Sequence, residues 1–183
     1  MILANKYRMK QAAAKTGFFA LLLTFPVFIM SCSQPGTKGV SYYFDSAGGN
    51  NENSGISPEK PYQSLAKIRE LSLQPGDKIL LKSGSVFTEQ LFFSGKGDSL
   101  NPVEIGKYGG EALPHIKGDG KTAAVHILNS EYFVLRYLEI SNKGETPVEG
   151  LNGLLVELNN YGIAKNIVVE NLFVHDVTGS LVK

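Results

Sequence analysis

The stretch that decides the fold is residues 133–142, FVLRYLEISN, which recurs as residues 167–176, IVVENLFVHD. The two copies align without a gap at an offset of 34 residues. Just upstream, residues 128–130 match residues 158–160 at an offset of 30, so we expect four extra residues at a corner of the second copy. A repeat built from very short strands is typical of a solenoid. The alternative is a chance likeness between strands rich in valine and asparagine.

Short apolar runs fill the chain from residue 78 onward, and each is bounded by Gly, Asn, Ser or Asp. They follow one another too closely for crossover helices, and the two-residue turns of β-hairpins do not join them. In a parallel β-helix, inward Val, Ile and Leu side chains stack on the neighbouring coils. We therefore predict an all-β parallel β-helix. Asn129 and Asn159 fall at corresponding corners, where we expect stacked amides to bond along the axis.

Residues 64–71 form the one predicted α-helix. Ser64 can cap its N-terminus, and Leu65, Ile68 and Leu71 fall on one face. Because the first coil of a solenoid has an exposed apolar end, we predict that this amphipathic helix caps the core.

The N-terminal segment has the layout of a secretory signal peptide. Four basic residues precede a 14-residue apolar stretch over residues 17–30, and Cys32, the single cysteine, follows. That stretch is shorter than the roughly 20 residues of a membrane-spanning helix. Ile29-Met30-Ser31-Cys32 resembles a bacterial lipobox, in which the cysteine becomes the lipidated first residue of the mature protein. The alternatives are a plain cleaved signal and a short N-terminal anchor.

This pattern predicts three segments: a lipoprotein signal peptide over residues 1–31, a flexible tether over residues 32–40, and the β-helix over residues 41–183. The protein is expected to be exported and lipid-anchored to a bacterial membrane, either on the periplasm-facing outer membrane or on the cell surface. Without residues 1–31, 14 basic residues face 17 acidic ones, a net charge of −3. This faintly acidic balance argues against nucleic acid as a partner.

Several motifs resemble the N-terminal region of right-handed parallel β-helix proteins of the pectate-lyase-like superfamily, common among exported lipoproteins of Bacteroides type. The resemblance is carried by residues 49–58, GNNENSGISP; 61–65, PYQSL; 73–81, LQPGDKILL; 84–87, GSVF; 101–110, NPVEIGKYGG; and 114–118, PHIKG. The chain departs from the family pattern at Asn51 and Ile56, where that loop usually has Asp and Thr or Ser. The superfamily includes lyases, hydrolases, epimerases and non-catalytic modules, so the resemblance implies the fold more strongly than an activity.

The C-terminal residues 179–183, GSLVK, look like the start of another strand, and no polar cap follows them. An open end of this kind would leave stacked aliphatic side chains and a strand edge in water. We therefore predict that the chain is the N-terminal part of a longer β-helix, truncated at its C-terminus.

His175 and Asp176 are the candidate catalytic or sugar-binding residues. With Val177-Thr178-Gly179 they resemble a strand-end pattern of the same superfamily, at a corner where side chains face outward. The alternative is that Asp176 caps a turn and His175 bonds the neighbouring coil. The other acidic and imidazole side chains in strands are expected to form a solvated outer surface without a catalytic pair: Glu104, Glu139, Glu157 and His126. His115 lies in a turn-like segment and shows no sign of a partner.

No metal site is predicted, because the chain has no Cys/His cluster with zinc-ligand spacing. No cofactor is evident, although the resemblance allows calcium in the full-length protein. The residues that bind substrate cannot be named from the sequence.

The predicted function is that of the N-terminal portion of an exported β-helix protein that acts on polysaccharide or oligosaccharide. The activity would be that of a polysaccharide lyase or a glycoside hydrolase, and this chain alone is expected to be inactive because most of the site would lie in later coils. One alternative is a non-catalytic glycan-binding or surface-scaffold module. A further alternative is an inert truncated product.

Overall fold

The computed structural model describes residues 39–146 and 148–183. The predicted signal peptide, the lipidation residue Cys32 and the tether up to residue 38 lie outside the described residues. The described chain contains one 3-10 helix and ten strands: β1 (Ser41–Phe44), β2 (Lys78–Lys82), β3 (Val86–Phe87), β4 (Leu91–Phe93), β5 (Val103–Tyr108), β6 (His115–Lys117), β7 (Ala123–Leu128), β8 (Phe133–Asn142), β9 (Asn152–Glu157) and β10 (Ile167–Val177).

The strands stack in parallel on three faces of a solenoid. The first face contains β1, β2, β5 and the N-terminal halves of β8 and β10. The second face contains β3, β6 and the C-terminal halves of β8 and β10, and the third contains β4, β7 and β9. Three complete coils result, namely β2–β3–β4, β5–β6–β7 and β8–β9. The predicted parallel β-helix is confirmed.

Strand β8 turns the corner between the first and second faces without ending. Its residues 133–135 pair with β5, and its residues 139–141 pair with β6. The turn is made at Tyr137, which has a φ of 58°, and Asn171 repeats it in β10 with a φ of 52°. Residues other than glycine rarely adopt this left-handed conformation, which reverses the local twist and redirects the strand.

The internal repeat corresponds to neighbouring coils in the structure. Ile167 lies opposite Phe133 and His175 opposite Ser141, which confirms the offset of 34. On the third face the register is Val156 opposite Ile127, an offset of 29. The corner between β9 and β10 therefore contains five extra residues, one more than predicted.

Two details of the repeat differ from the expectation. A register shift after His175 places Val177, rather than Asp176, opposite Asn142. At the earlier corner, the side-chain Oδ1 of Asn129 accepts a hydrogen bond from the backbone N–H of Asn159 at 2.7 Å. The two asparagines do meet along the axis, but through a side-chain-to-backbone bond.

The core is a column of aliphatic side chains that runs along the inside of the solenoid. On the first face, Ile79, Ile105 and Leu135 lie in register on successive coils and are fully buried. Phe93 and Phe133 meet edge to face, with ring centroids 5.8 Å apart. Burial of each such side chain stabilises the fold by roughly 1.5–3 kcal/mol.

The helical segment Leu65–Glu70 has 3-10 geometry instead of the predicted α geometry. Ser64 caps it as expected, since its Oγ accepts from the backbone N–H of Ala66 at 3.1 Å. The Glu89 carboxylate also accepts from the Ser64 hydroxyl and the Leu65 N–H, which holds the first turn tightly. Leu65 and Ile68 are buried in the core beside β4. Within the described residues, no helix has the length and apolarity needed to cross a bilayer.

Candidate functional site

The candidate site lies on the outside of the second face, where three adjacent strands place polar side chains next to one another. His115 of β6 lies opposite Glu139 of β8, and Ser141 of β8 lies opposite His175 of β10. These positions alternate with the fully buried Ile140, so their side chains point outward together. Adjacent strands are about 4.8 Å apart, which brings the polar groups within bonding distance of one another.

Glu139 is the centre of this cluster. Its Oε1 lies 3.1 Å from Nε2 of His175 and 3.4 Å from Nδ1 of His115. The second ring nitrogens are also engaged, His115 Nε2 with the Ser141 Oγ at 2.8 Å and His175 Nδ1 with the Asp176 Oδ2 at 3.1 Å. We call His115, Glu139, His175 and Asp176 the second-face cluster.

A half-open groove of about 490 Å³ runs past His115, His175 and Asp176 of this cluster. Charged side chains of both signs line its rim, namely Lys117, Asp119, Lys143 and Glu145. The groove crosses successive coils, so an extended ligand that lies in it would contact several coils at once.

The two histidines of the cluster titrate differently. Desolvation lowers the pKa of His115, and this effect outweighs the attraction of the Glu139 carboxylate. Desolvation also opposes the charge on His175, but hydrogen bonds with Glu139 and Asp176 outweigh it and raise the pKa of His175. His175 therefore holds a proton to higher pH than His115 does.

Carboxylates and imidazoles in this arrangement support proton transfer, hydrogen bonding to hydroxyl groups, or metal binding. Hydrolysis of a glycosidic bond uses two carboxyl groups, one to protonate the leaving oxygen and one as nucleophile or base. One imidazole nitrogen from His115, one from His175 and a carboxylate oxygen of Glu139 lie within 4.8 Å of one another. Those three side chains form the one group of at least three potential metal ligands within residues 39–146 and 148–183.

The structure places both sequence candidates in this cluster. His175 contacts Glu139 of the neighbouring coil, as expected if it has a structural role. It also forms one wall of the groove. The sequence predicts a solvated outer position for Glu139 and no partner for His115, because nothing in their local sequence indicates that they meet. One signal could have identified them. Each lies next to a buried isoleucine and therefore points outward, and the strands β6 and β8 that contain them pair with each other.

The other acidic residues singled out in the sequence lie apart from the cluster. Glu104, on the first face, accepts hydrogen bonds from Lys78 at 2.9 Å and Arg136 at 2.7 Å. Although desolvation opposes it, these bonds lower the pKa of Glu104. Glu157, on the third face, pairs with His126 at 2.9 Å. These two carboxylates belong to the charged outer surface.

Asn51, where the chain departs from the family pattern, has a structural role. Its Oδ1 accepts from the backbone N–H groups of Gln63 and Ser64 at 3.1 and 2.9 Å. The side chain thereby fastens its loop to the start of the 3-10 helix.

No family model matches the chain. It is 26% identical to a lacto-N-biosidase of Bifidobacterium longum subsp. longum over 235 aligned positions, which cover 94% of this chain and 15% of that enzyme. The selenomethionine crystal structure of GH136 lacto-N-biosidase from Eubacterium ramulus is 32% identical with a TM-score of 0.72, over 78% of this chain and 28% of that one. The native structure gives 32% identity and a TM-score of 0.68, over 76% of this chain and 28% of that one.

The chain thus spans less than a third of the length of these proteins, at 15% of the Bifidobacterium enzyme and 28% of each Eubacterium structure. Within that span, the likeness covers almost the whole chain in sequence and most of it in structure. The chain is a parallel β-solenoid homologous to GH136 lacto-N-biosidases, which are glycoside hydrolases.

Proposed function

We propose that the chain provides N-terminal coils of an exported β-helix glycoside hydrolase that acts on oligosaccharides containing a lacto-N-biose unit. The observation that carries this proposal is the likeness to a lacto-N-biosidase across 94% of the chain. The groove along the second face supports it, because the groove crosses successive coils and is lined by groups that bond hydroxyls.

The role assigned to this chain is binding and positioning of the sugar. The Asp176 side chain is 67% exposed, and its Oδ1 can accept hydrogen bonds from sugar hydroxyls while its Oδ2 contacts His175. The Phe173 ring is 55% exposed and stacks on His175, with ring centroids 4.6 Å apart, so it offers an apolar surface beside these polar groups. Aromatic rings next to hydrogen-bonding groups suit sugars, whose faces are apolar and whose edges carry hydroxyls.

The proposal places the complete hydrolytic pair outside the chain described. Asp176 and Glu139 both contact His175. Because Glu139 is also held beside His115, the Glu139 carboxylate is not free to attack a sugar or protonate it. The relatives are several times longer than this chain, which leaves room for a hydrolytic pair in their other coils. We therefore propose that this chain alone binds glycan without turnover.

A non-catalytic glycan-binding or scaffold module is the second candidate. The observation that favours it is that Glu139, the carboxylate between the two histidines, is engaged by both of them. Both candidate functions use the same groove. They differ in whether the protein that contains these coils hydrolyses the glycan.

The test measures binding and hydrolysis of lacto-N-tetraose by the full chain. We expect saturable binding by titration calorimetry, loss of that binding in Asp176→Ala, and no released lacto-N-biose. The matched control is Glu157→Ala on the third face, which keeps wild-type affinity. Absence of saturable binding would overturn the proposal. Release of lacto-N-biose would show that this chain itself contains the hydrolytic pair and does more than bind the glycan.

The export and anchoring of the protein are also proposed. The supporting observation is the lipobox-like tetrapeptide that ends at Cys32, preceded by a basic and then an apolar segment. An acyl chain on Cys32 would attach the N-terminal end of the β-helix to a membrane and leave later coils to extend away from it.

A further inference from the structure

We propose that His115, Glu139 and His175 form a binding site for one divalent transition-metal ion of the zinc class. The site borders the proposed glycan groove, but the proposal does not rest on glycan activity, since it requires only the three side chains and their hydrogen-bond partners. It would join three successive coils on the second face, with one ligand from each of β6, β8 and β10.

The two separations between Glu139 and the histidine nitrogens match a tetrahedral site. The Glu139 Oε1 lies 3.4 Å from the His115 Nδ1 and 3.1 Å from the His175 Nε2. Zinc bonds of about 2.0–2.1 Å at tetrahedral angles place neighbouring ligand atoms roughly 3.3 Å apart. The ligand atoms of all three residues lie within 4.8 Å of one another, so one ion can contact all three after small side-chain shifts.

The hydrogen bonds behind the ligands are those that metal-binding histidines need. The His175 Nδ1 lies 3.1 Å from a carboxylate oxygen of Asp176, and a carboxylate at this distance accepts the ring N–H. The His115 Nε2 lies 2.8 Å from the Ser141 Oγ, a hydroxyl oxygen that can accept the ring N–H. Each partner fixes the tautomer in which the opposite nitrogen presents its lone pair toward Glu139. In the metal-free protein a proton on the His175 Nε2 bonds Glu139, and an ion of the zinc class would take the place of that proton.

The ligand set selects the class of ion. Two imidazole nitrogens and one carboxylate favour Zn²⁺, Co²⁺ or Ni²⁺, whereas Ca²⁺ and Mg²⁺ prefer all-oxygen sites. Three protein ligands leave a fourth position open, and both histidines border the groove from which a water molecule could reach the ion. The ligands lie on paired strands, so the backbone holds them in place before the ion binds.

The test uses the full chain without an affinity tag, stripped with a chelator and titrated with Zn²⁺ by calorimetry and with Co²⁺ by visible absorption. We expect one ion per chain, tetrahedral Co²⁺ bands without a thiolate charge-transfer band, and a higher melting temperature with Zn²⁺. The ligand variants His115→Gln, Glu139→Gln and His175→Gln should each lose measurable binding. Far-UV circular dichroism of the metal-free proteins shows whether each variant folds.

Two positioning variants test the proposal even if a ligand variant fails to fold. Ser141→Ala and Asp176→Asn retain all three ligands, and each should weaken binding by about 10–100-fold through loss of ring orientation. His126→Gln and Cys32→Ser are controls that should bind like wild type, since neither residue belongs to the site. A Co²⁺ spectrum that persists in the ligand variants, or wild-type affinity in both positioning variants, would overturn the proposal and leave only histidine–glutamate hydrogen bonds.

Discussion

At the scale of single residues, Glu104 shows how a charged group is accommodated on the outside of a β-helix. It lies between Lys78 and Arg136, which belong to the coils below and above it. Its side chain is only 18% exposed, so it is desolvated enough for the two ion pairs to matter. The Arg136 guanidinium extends the ladder to Glu170 at 3.7 Å.

Replacing Glu104 with Gln should destabilise the protein by about 1–3 kcal/mol, because two charge-assisted hydrogen bonds lose their acceptor charge in a half-buried place. Urea unfolding monitored by circular dichroism measures the change. The matched control is Glu70→Gln, whose pair with Lys67 is solvent-exposed and should give no measurable change. Equal effects of the two substitutions would contradict this interpretation.

The pH dependence of stability follows from Glu104 and Asp45. Asp45 is nearly buried, and although desolvation opposes it, hydrogen bonds from Lys82 and from the Gly48 and Ala47 backbone lower its pKa below 3.8. The pKa of Glu104 lies below its ordinary 4.5. Between the folded and unfolded pKa values the unfolded chain binds more protons, so stability rises with pH in that window.

We therefore expect these two groups to leave the melting temperature unchanged from pH 7 to about 5. Below about pH 4.5, their protonation should lower the melting temperature. Scanning calorimetry across that range measures it. In Asp45→Asn the acid-induced fall should be shallower, because one of the titrating groups is gone. An unchanged slope in this variant would show that Asp45 is not a source of the effect.

At the scale of elements, corners between strands contain residues that tolerate positive φ. Asn129 has a φ of 48° and holds the next coil through its bond to the Asn159 backbone. Asparagine suits both tasks, since its short amide tolerates the left-handed region and accepts a hydrogen bond.

The two tasks of Asn129 can be separated by substitution. Asn129→Gly keeps the backbone conformation and loses the hydrogen bond, which should cost about 1 kcal/mol. Asn129→Ala also removes the short amide that lets asparagine tolerate the left-handed region, which should raise the loss to about 2–3 kcal/mol. Chemical denaturation of both variants measures the difference. If alanine costs no more than glycine, the corner relaxes and the positive φ does not constrain it.

At the scale of the whole molecule, the proposed lipidation of Cys32 would anchor the β-helix to a membrane. We expect fatty-acid label to enter the wild-type protein in cells and to be absent from Cys32→Ala, which should leave the membrane fraction. Ser33→Ala is the control and should remain labelled. Metabolic labelling followed by fractionation measures both properties. Label that persists in Cys32→Ala would contradict the anchor.

Several features could be predicted from local sequence because they depend on local chemistry. The apolar runs bounded by Gly, Asn and Asp indicate short stacked strands, and Ser64 before Leu65 and Ile68 indicates the helical cap. The contacts of that helical segment were not readable from the local sequence, because its first turn bonds Glu89, which lies 25 residues further along the chain from Ser64. The offset of 34 between β8 and β10 was readable because those two coils share a sequence pattern.

By itself, the sequence determined the coiled architecture, since inward aliphatic side chains at alternate positions must stack on something to leave water. Only the tertiary structure decided which polar residues meet. Successive coils differ in length, with offsets of 24 between β6 and β8, 29 between β7 and β9, and 34 between β8 and β10. His115, Glu139 and His175 are therefore not evenly spaced along the chain, and no single period aligns them. The loops at the corners absorb the differences in length, and the backbone ladder then brings the three side chains together.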